Sequence, residues 1–102
     1  MIKYFKSTEN ENTTRIAAFE KGCWVDMINP SDDEVEDVCA LTGVAEEMIK
    51  AALDEEETAR VERDDGNFLC LLDTPTITDT EDGDTYETIP MAIIYNENCI
   101  IT

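Results

Sequence analysis

Two runs of acidic residues are the part of the sequence most suggestive of chemistry. The first places four consecutive carboxylates at 54–57, between an apolar run and an alternating segment. The second is TDTEDGDTYE, which is centred on Gly83. Carboxylate oxygens are the ligands that hard cations such as Mg²⁺ and Ca²⁺ prefer, so each run raises the question of a metal site.

The second run does not match the calcium loop of an EF-hand. Such a loop needs glycine at position 6 and glutamate at position 12. Counted from Asp79, Gly83 falls at position 5 and Pro90 at position 12. We favour a solvated hairpin tip, with weak cation binding as the alternative. The ligands for weak cation binding would be Asp79, Glu81, Asp82 and Asp84.

The chain has no histidine, and its four cysteines are scattered. The missing histidine excludes Ser–His and Cys–His catalysis and the usual histidine-bearing zinc sites. A catalytic carboxylate pair would need a geometry that an abundance of acids does not indicate, so we expect no enzyme. Because no Cys-x-x-Cys pair is present, we expect buried, reduced thiols of a cytosolic protein. These thiols are Cys23, Cys39, Cys70 and Cys99.

Charge and length narrow the class of protein further. The chain carries 25 acidic and seven basic residues, a formal charge of −18, which repels nucleic acid and anionic lipid. Such charge attracts divalent cations or a basic partner, although solubility alone also explains it. A length of 102 residues suits one domain. Since no stretch approaches a membrane span or a signal peptide, we expect the chain as given to be soluble.

Alternation and turn signals predict strands at both ends of the chain. The strand candidates are, in order, IKYFK, RIAAFE, CWVDMIN, TARVERDD, FLCLLD, TIPMAIIY and CIIT. Trp24 lies in the third strand, where alternation places it on the face opposite Val25. We expect it in the core, as is usual for a tryptophan on an alternating strand. Asp65-Gly66 predicts a hairpin between the fourth and the fifth. Pro90 lacks an N–H donor and therefore predicts a bulge or an edge.

Two to three helices are predicted between the third and the fourth strand. Ser31 and Glu34 have the spacing of a capping box, and Gly43 supplies a left-handed stop. A second helix is predicted at 44–53, and Asp54 can end it or cap a further short turn. The fold class is α/β (α+β), a single domain with a mixed sheet of six to seven short strands. A crossover from the third to the fourth strand would be right-handed if these two were parallel.

Several of these elements together resemble the N-terminal cytoplasmic domain of the CorA-type magnesium and divalent cation transporters. The resemblance rests on Trp24-Val25-Asp26, Pro30-Ser31 with Glu34, Gly43, Arg60-Val61-Glu62 and the following apolar strands, in that order. It implies a mixed sheet flanked by helices, in a pentameric, funnel-shaped cytoplasmic assembly. In that family, long helices and two membrane spans with a Gly-Met-Asn signature follow. The resemblance thus implies that 1–102 is a single cytoplasmic domain, a fragment of a longer membrane transporter, without transport activity of its own.

The resemblance also directs attention to a regulatory metal site. In the family, cytoplasmic divalent cations bridge carboxylates of adjacent subunits and hold the pore shut. A Glu-Asp pair on the second helix contributes in many members, and its positions are occupied here by Lys50 and Ala51. Asp54 and Glu55, about one turn further, are the candidate substitutes for a site completed by an interface. In the competing interpretation, the domain serves structure and assembly only.

Partners and cofactors follow from these interpretations. We expect a homo-oligomer that interacts with divalent cations, not with nucleic acid, and that meets the membrane only through its missing C-terminal part. The intact protein would lie at the cytoplasmic face of the cell membrane. No cofactor is required, and Mg²⁺ would be the regulatory or the transported ion. The alternative from another class is a stand-alone acidic domain that binds a basic protein partner.

Overall fold

Hydrogen-bonded strands form one mixed sheet among the residues that the structure describes. The computed structural model describes residues 1–9, 12–54, 56–80 and 83–102. The elements within these ranges are β1 (Ile2–Ser7), β2 (Thr13–Ile16), β3 (Cys23–Met27), α1 (Asp32–Thr42), α2 (Glu46–Ala51), β4 (Arg60–Asp64), β5 (Asn67–Thr80), β6 (Gly83–Tyr95) and β7 (Cys99–Ile101). The predicted mixed sheet, with helices between the third and the fourth strand, is confirmed.

The strand order places the last strand in the middle of the sheet. Over the described residues the order is β2-β1-β3-β7-β6-β5-β4. β3 and β7 are parallel, and all the other neighbours are antiparallel. Three successive antiparallel connections lead from β4 through β5 and β6 to β7, so β4 lies at the far edge and runs opposite to β3. The condition under which a crossover from β3 to β4 would be right-handed is therefore not met, because the parallel neighbour of β3 is β7.

The ends of α1 form as their local sequence predicts. The hydroxyl of Ser31 accepts a hydrogen bond from the N–H of Glu34 over 3.2 Å. The carboxylate of Glu34 in turn accepts one from the N–H of Ser31 over 3.0 Å. Gly43 ends the helix at a φ of 77°, a left-handed conformation that costs a residue with a side chain more than it costs glycine.

α2 is shorter than the predicted 44–53. Its N-cap residue, Ala45, has no side-chain acceptor for the first helical N–H groups. At the other end, the N–H of Leu53 bonds to the carbonyl of Lys50 over 3.0 Å, three residues back. That spacing belongs to a 3₁₀ turn, so the α-helix gives way to a tighter turn after Ala51.

Both helices pack on one side of the sheet, which we call the buried face. One hydrophobic cluster joins the inward side chains of the helices and of four strands. Its members include Val35, Val38, Met48 and Ile49 from the helices and Val25, Leu69, Leu71, Ile94 and Ile101 from the strands. Burial of these apolar side chains is the main force that holds the helices to the sheet.

The turn between β4 and β5 forms as predicted, whereas β5 and β6 are longer than predicted. Asp65 and Gly66 have φ values of 48° and 81°, as expected for the predicted two-residue hairpin turn. β5 and β6 run much further than predicted, over 14 and 13 residues. Pro90 lies in the portion of β6 that β7 does not reach, since β7 pairs only with Ile94 and Tyr95. The predicted edge position of this proline is thus confirmed.

Candidate functional site

Asp54 lies just beyond α2 and caps the turn that follows. Its Oδ1 atom accepts a hydrogen bond from the N–H of Glu56 over 3.0 Å. Its carbonyl oxygen accepts another from the N–H of Glu57 over 3.2 Å. The predicted capping role is therefore confirmed, and the same carboxylate keeps a second oxygen that no described residue binds. Its predicted companion Glu55 lies outside the described residues.

The neighbouring acid Glu57 is neutralised within its own segment. Its carboxylate contacts the guanidinium of Arg60, which also binds Glu62 through its Nε atom at 2.5 Å. The hydrogen bonds to Glu62 and Glu57 raise the pKa of Arg60 and hold it as a cation. Arg60 therefore screens this part of the acidic run and makes Glu57 a poor metal ligand.

The two positions at which the resemblance places a Glu-Asp pair carry no carboxylate here. The ammonium of Lys50 lies 2.7 Å from Oε1 of Glu46, one helical turn earlier. That hydrogen bond, with the negative fields of Glu46, Asp32 and Glu36, raises the pKa of Lys50. Ala51 is buried. One position thus carries a permanent positive charge and the other faces the core.

A shallow hollow brings the acidic run next to the start of α1. It measures about 630 Å³ and is lined by Asp32, Lys50, Leu53, Asp54 and Glu56. The sequence alone did not indicate that Asp32 lies near Asp54, because their proximity depends on how the helices pack. Within the described ranges, no three acidic or cysteine side chains converge closely enough to hold a metal ion. A cation at this hollow would need ligands beyond those that the described residues supply.

The second acidic run lies at the end of the β5–β6 hairpin. Asp79 and Asp84 are opposite each other in the antiparallel ladder, so the backbone here is extended and not a calcium-binding loop. Glu81 and Asp82, the other two candidates for weak binding, lie outside the described residues. The hairpin tip predicted from this run is confirmed in its strand pairing.

The cysteines divide into two buried and two half-buried thiols. Cys23 and Cys99 are opposite each other on β3 and β7, and both are buried. Burial, with a smaller contribution from Cys23, raises the pKa of Cys99 to about 11. Burial also raises the pKa of Cys39. Cys39 and Cys70 are only half-buried, so the expectation of buried thiols holds fully for two of the four.

The side of the sheet opposite the helices is apolar and uncovered by any described residue, and we call it the open face. Cross-strand partners place its side chains next to one another on six strands. The open face consists of Phe5, Trp24, Val61, Phe68, Cys70, Leu72, Met91, Ile93, Tyr95 and Ile100. Several of these are well exposed, including Leu72 at 42% and both Tyr95 and Ile100 at 47%. Sequence reasoning missed this surface.

Aromatic pairs give the open face a defined shape. The rings of Phe68 and Tyr95 stack with centroids 4.7 Å apart, and the guanidinium of Arg63 lies 5.2 Å from the Phe68 centroid. Phe5 and Trp24 lie 4.9 Å apart. Trp24 is 39% exposed, so the expectation that it lies in the core is wrong. Alternation assigned it correctly to the face opposite Val25, but did not reveal which face the helices cover.

This fold occurs in solved structures of a magnesium transporter. The structure of the soluble domain of CorA from Methanocaldococcus jannaschii superposes with a TM-score of 0.79 at 21% sequence identity. That match covers 100% of this chain and 39% of the other. The complete CorA magnesium transporter from the same organism gives a TM-score of 0.73 at 23% identity, and the match covers 100% of this chain and 31% of that one. The chain therefore spans about a third of these relatives, with the same fold.

The sequence itself places the chain in the same family. A family model described as "CorA-like Mg2+ transporter protein" matches residues 19–102. Because this match extends over most of the chain, the protein belongs to the CorA-like Mg²⁺ transporter family. No match is found among curated protein sequences. Neither described helix has the length and apolar character needed to cross a membrane.

Proposed function

We propose that this chain is the N-terminal cytoplasmic domain of a longer CorA-like Mg²⁺ transport protein, with a regulatory and assembly role and no transport activity of its own. In the intact protein it lies at the cytoplasmic face of the cell membrane. The family match and the fold support this proposal. Since the family consists of transporters, we also propose that the domain is not an enzyme.

The open face is the structural observation that carries the proposal. Its neighbouring apolar side chains extend over six strands on one side of the sheet, whereas a soluble monomer seldom exposes apolar patches of more than a few hundred Å². A domain with one covered and one uncovered face is one layer short of a sandwich. We propose that the segment following residue 102 in the intact protein supplies the missing layer.

The length of the relative favours that segment over a second copy as the cover. The relative's soluble domain is more than twice as long as this chain, so soluble sequence remains for another layer.

Trp24 provides the test, because it is the sole tryptophan of these 102 residues and lies on the open face. The coding sequence beyond residue 102 would first be determined. The soluble segment that it encodes would then be produced as a separate polypeptide, with any tryptophan replaced, and mixed with the 102-residue domain. We expect a blue shift of Trp24 emission and slower alkylation of Cys70. Ile100→Asp on the open face should abolish both effects, whereas Leu53→Asp, at an equally exposed position beside the helices, should not. A stop codon after residue 102, or an unchanged emission, would contradict the proposal and favour a stand-alone acidic domain.

For regulation, we propose that Asp54 and Glu55 contribute to a Mg²⁺ site that a neighbouring subunit of a homo-oligomer, a pentamer by analogy with the family, completes. The Asp54 oxygen that no described residue binds, and the absence of a complete ligand set among the described residues of one copy, support a shared site. A cation bound only in the assembled state stabilises that state by mass action.

The test is a Mg²⁺ titration of the full-length assembly, in which the thermal unfolding temperature is measured at each Mg²⁺ concentration. We expect Mg²⁺ to raise the unfolding temperature of the wild type more than that of Asp54→Ala/Glu55→Ala. Glu36→Ala/Asp37→Ala, with two acids removed from the outer side of α1, is the control for loss of charge alone. Equal stabilisation of the wild type and the Asp54/Glu55 variant would contradict the proposed Mg²⁺ site. The domain would then serve structure and assembly only.

A further inference from the structure

One row of side chains crosses six strands of the open face. The strand register aligns one residue from each strand, in the order Phe5, Trp24, Ile100, Tyr95, Phe68 and Arg63. The rings of Phe5 and Trp24 lie 4.9 Å apart. Those of Tyr95 and Phe68 lie 4.7 Å apart and are nearly parallel. The row therefore contains two aromatic pairs, and Ile100 separates them.

The gap between the two pairs, which we call the slot, is bounded by one aromatic ring on each side. Trp24 has Phe5 on one side and Ile100 on the other, so its second ring face is turned toward Ile100. Tyr95 stacks on Phe68 and likewise turns its second face toward Ile100. Both rings are exposed. Ile100 forms the floor of the slot, because its side chain is shorter than the two rings.

The slot is wide enough for one flat group. A cavity of about 430 Å³ is lined by Trp24, Ile100 and Tyr95 together with residues at the neighbouring strand ends. Neighbouring strands lie about 4.8 Å apart, so β3 and β6, which flank β7, are separated by about 9.6 Å. A planar group packed between two rings needs about 7–8 Å, because carbon atoms pack at about 3.5–4.0 Å.

A carboxylate lies at one end of the same cavity. Glu97, in the turn between β6 and β7, lines the cavity and is exposed. It forms no ion pair with any part of the chain that the structure describes. The faces of aromatic rings attract cations, and the row already contains one such contact, between Arg63 and Phe68 at 5.2 Å. Two ring faces and a free carboxylate therefore suit a flat cation.

Arginine has the side chain that matches these features. Its guanidinium is planar, stacks on aromatic faces and binds carboxylates through hydrogen bonds in a fixed geometry. Its aliphatic stem can lie on apolar surface while the charged end reaches a polar group. Lysine carries a compact ammonium, which would fill the space between Trp24 and Tyr95 less completely.

From this geometry we infer that an arginine of the segment following residue 102 inserts into the slot. Its guanidinium stacks between Trp24 and Tyr95 and pairs with Glu97. This inference rests on the proposed cover of the open face, and it adds a polar anchor that fixes where the covering segment lies on the sheet. The relative's longer soluble domain supplies sequence for that segment, and the net charge of −18 attracts a basic side chain to the domain.

Urea titration of the full-length protein tests the anchor through Trp24 emission. Any other tryptophan would be replaced by phenylalanine, and each arginine of the following segment would be replaced in turn by methionine. We expect one Arg→Met variant to shift Trp24 emission to the red at lower urea than the wild type, with an about tenfold loss in the ratio of covered to uncovered protein. Glu97→Lys should cause the same loss, and Arg→Glu at that position should restore the cover of Glu97→Lys. Glu36→Lys, with the same change of charge on the outer side of α1, is the control.

The size of the slot provides a second, independent test. Ile100→Phe fills the space between the rings, whereas Ile100→Val leaves it open. We expect Ile100→Phe to weaken the cover more than Ile100→Val. A cover held by apolar area alone would tolerate phenylalanine at least as well as valine. Protection of Cys99 from iodoacetamide without urea would show that each variant is folded, because Cys99 is buried.

The outcomes separate this inference from the proposed cover. Red-shifted Trp24 emission in the native full-length protein would contradict both. Blue-shifted emission with equal effects of Glu97→Lys and Glu36→Lys would leave the cover in place and overturn the arginine anchor alone. A following segment without arginine, or equal effects of Ile100→Phe and Ile100→Val, would also overturn the anchor.

Discussion

The indole N–H of Trp24 donates a hydrogen bond to the hydroxyl of Thr102 over 2.8 Å, which links the third strand to the last described residue. The same hydroxyl donates to a carboxylate oxygen of Asp26 over 3.0 Å. The backbone of Thr102 continues the parallel pairing, since its N–H bonds to the carbonyl of Val25 and its carbonyl accepts from Met27. Residue 102 is therefore fixed to the centre of the sheet by both side chain and backbone.

Replacing this hydroxyl should weaken the domain. Thr102→Val keeps the shape of the side chain but removes the acceptor for Trp24 and the donor to Asp26. We expect the free energy of unfolding to fall by about 1 kcal/mol, measured by urea denaturation. Thr88→Val, at an exposed position of β6, should change it by less than about 0.5 kcal/mol. Similar losses in the two variants would show that the Trp24 contact adds nothing.

Asn96 should be among the most sensitive polar positions. Its amide nitrogen donates to the carbonyl of Thr42 over 2.9 Å and to Oδ1 of the buried Asn67 over 3.0 Å. Its oxygen accepts from the N–H groups of Asn98 and Cys99. Asn96→Ala should therefore cost about 2–3 kcal/mol in chemical denaturation, because it leaves Asn67 unsatisfied in the interior. Asn98→Ala is the control, since Asn98 bonds to Asn96 through its backbone, and a comparable loss there would contradict this assignment.

Stability should depend on pH through Glu34. The hydrogen bond from the N–H of Ser31, with contributions from the chain's amino terminus, lowers the pKa of Glu34 below its ordinary 4.5. A carboxyl whose pKa is lowered on folding contributes stability that is present above its unfolded pKa and is lost as the pH falls through its folded pKa. Glu34→Gln should thus destabilise the domain at pH 7 and much less well below pH 4. Glu36→Gln, on the exposed side of α1, should lack this pH dependence. If Glu34→Gln lowered the free energy of unfolding equally at both pH values, the explanation would be refuted.

The four thiols should react in the order of their exposure. At pH 8, iodoacetamide should alkylate Cys70 and Cys39 of the native domain first, and the raised pKa of Cys39 should slow its reaction. Cys99, with its pKa raised to about 11, and the buried Cys23 should react only after unfolding, because the reactive form is the thiolate. Mass spectrometry of digested samples measures the order, and denatured protein, in which all four react at similar rates, is the control. Early modification of Cys99 would show that β7 opens readily.

Features that depend on neighbouring residues could be predicted from the sequence. The capping box of Ser31 and Glu34, the stop at Gly43 and the turn at Asp65-Gly66 all formed as expected, because each is decided by contacts within a few residues. Strand alternation also assigned Val25 and Trp24 to opposite faces. The same local reasoning identified the capping role of Asp54 within the candidate site.

Features that depend on the order of strands could not be predicted in this way. The alternation of a strand is the same whether helices cover one face or the other, so the exposure of Trp24 had no local signal. The position of β7 between β3 and β6 follows from pairing across most of the chain. The proximity of Asp32 to Asp54 likewise depends on how two helices pack, and carboxylate spacing in the sequence does not report it.

The central position of β7 has a consequence for how the chain acquires its structure during synthesis. Without the three residues of β7, the sheet consists of two separate halves, β2-β1-β3 and β6-β5-β4. Pairing of β7 with β3 closes a loop over about three quarters of the chain, a non-local step that is typically slow. Each half can form its own hairpins as it leaves the ribosome, but the halves can join only after the last strand has emerged. Until then the nascent chain presents two unpaired central edges, and chaperones would have to protect it at that stage.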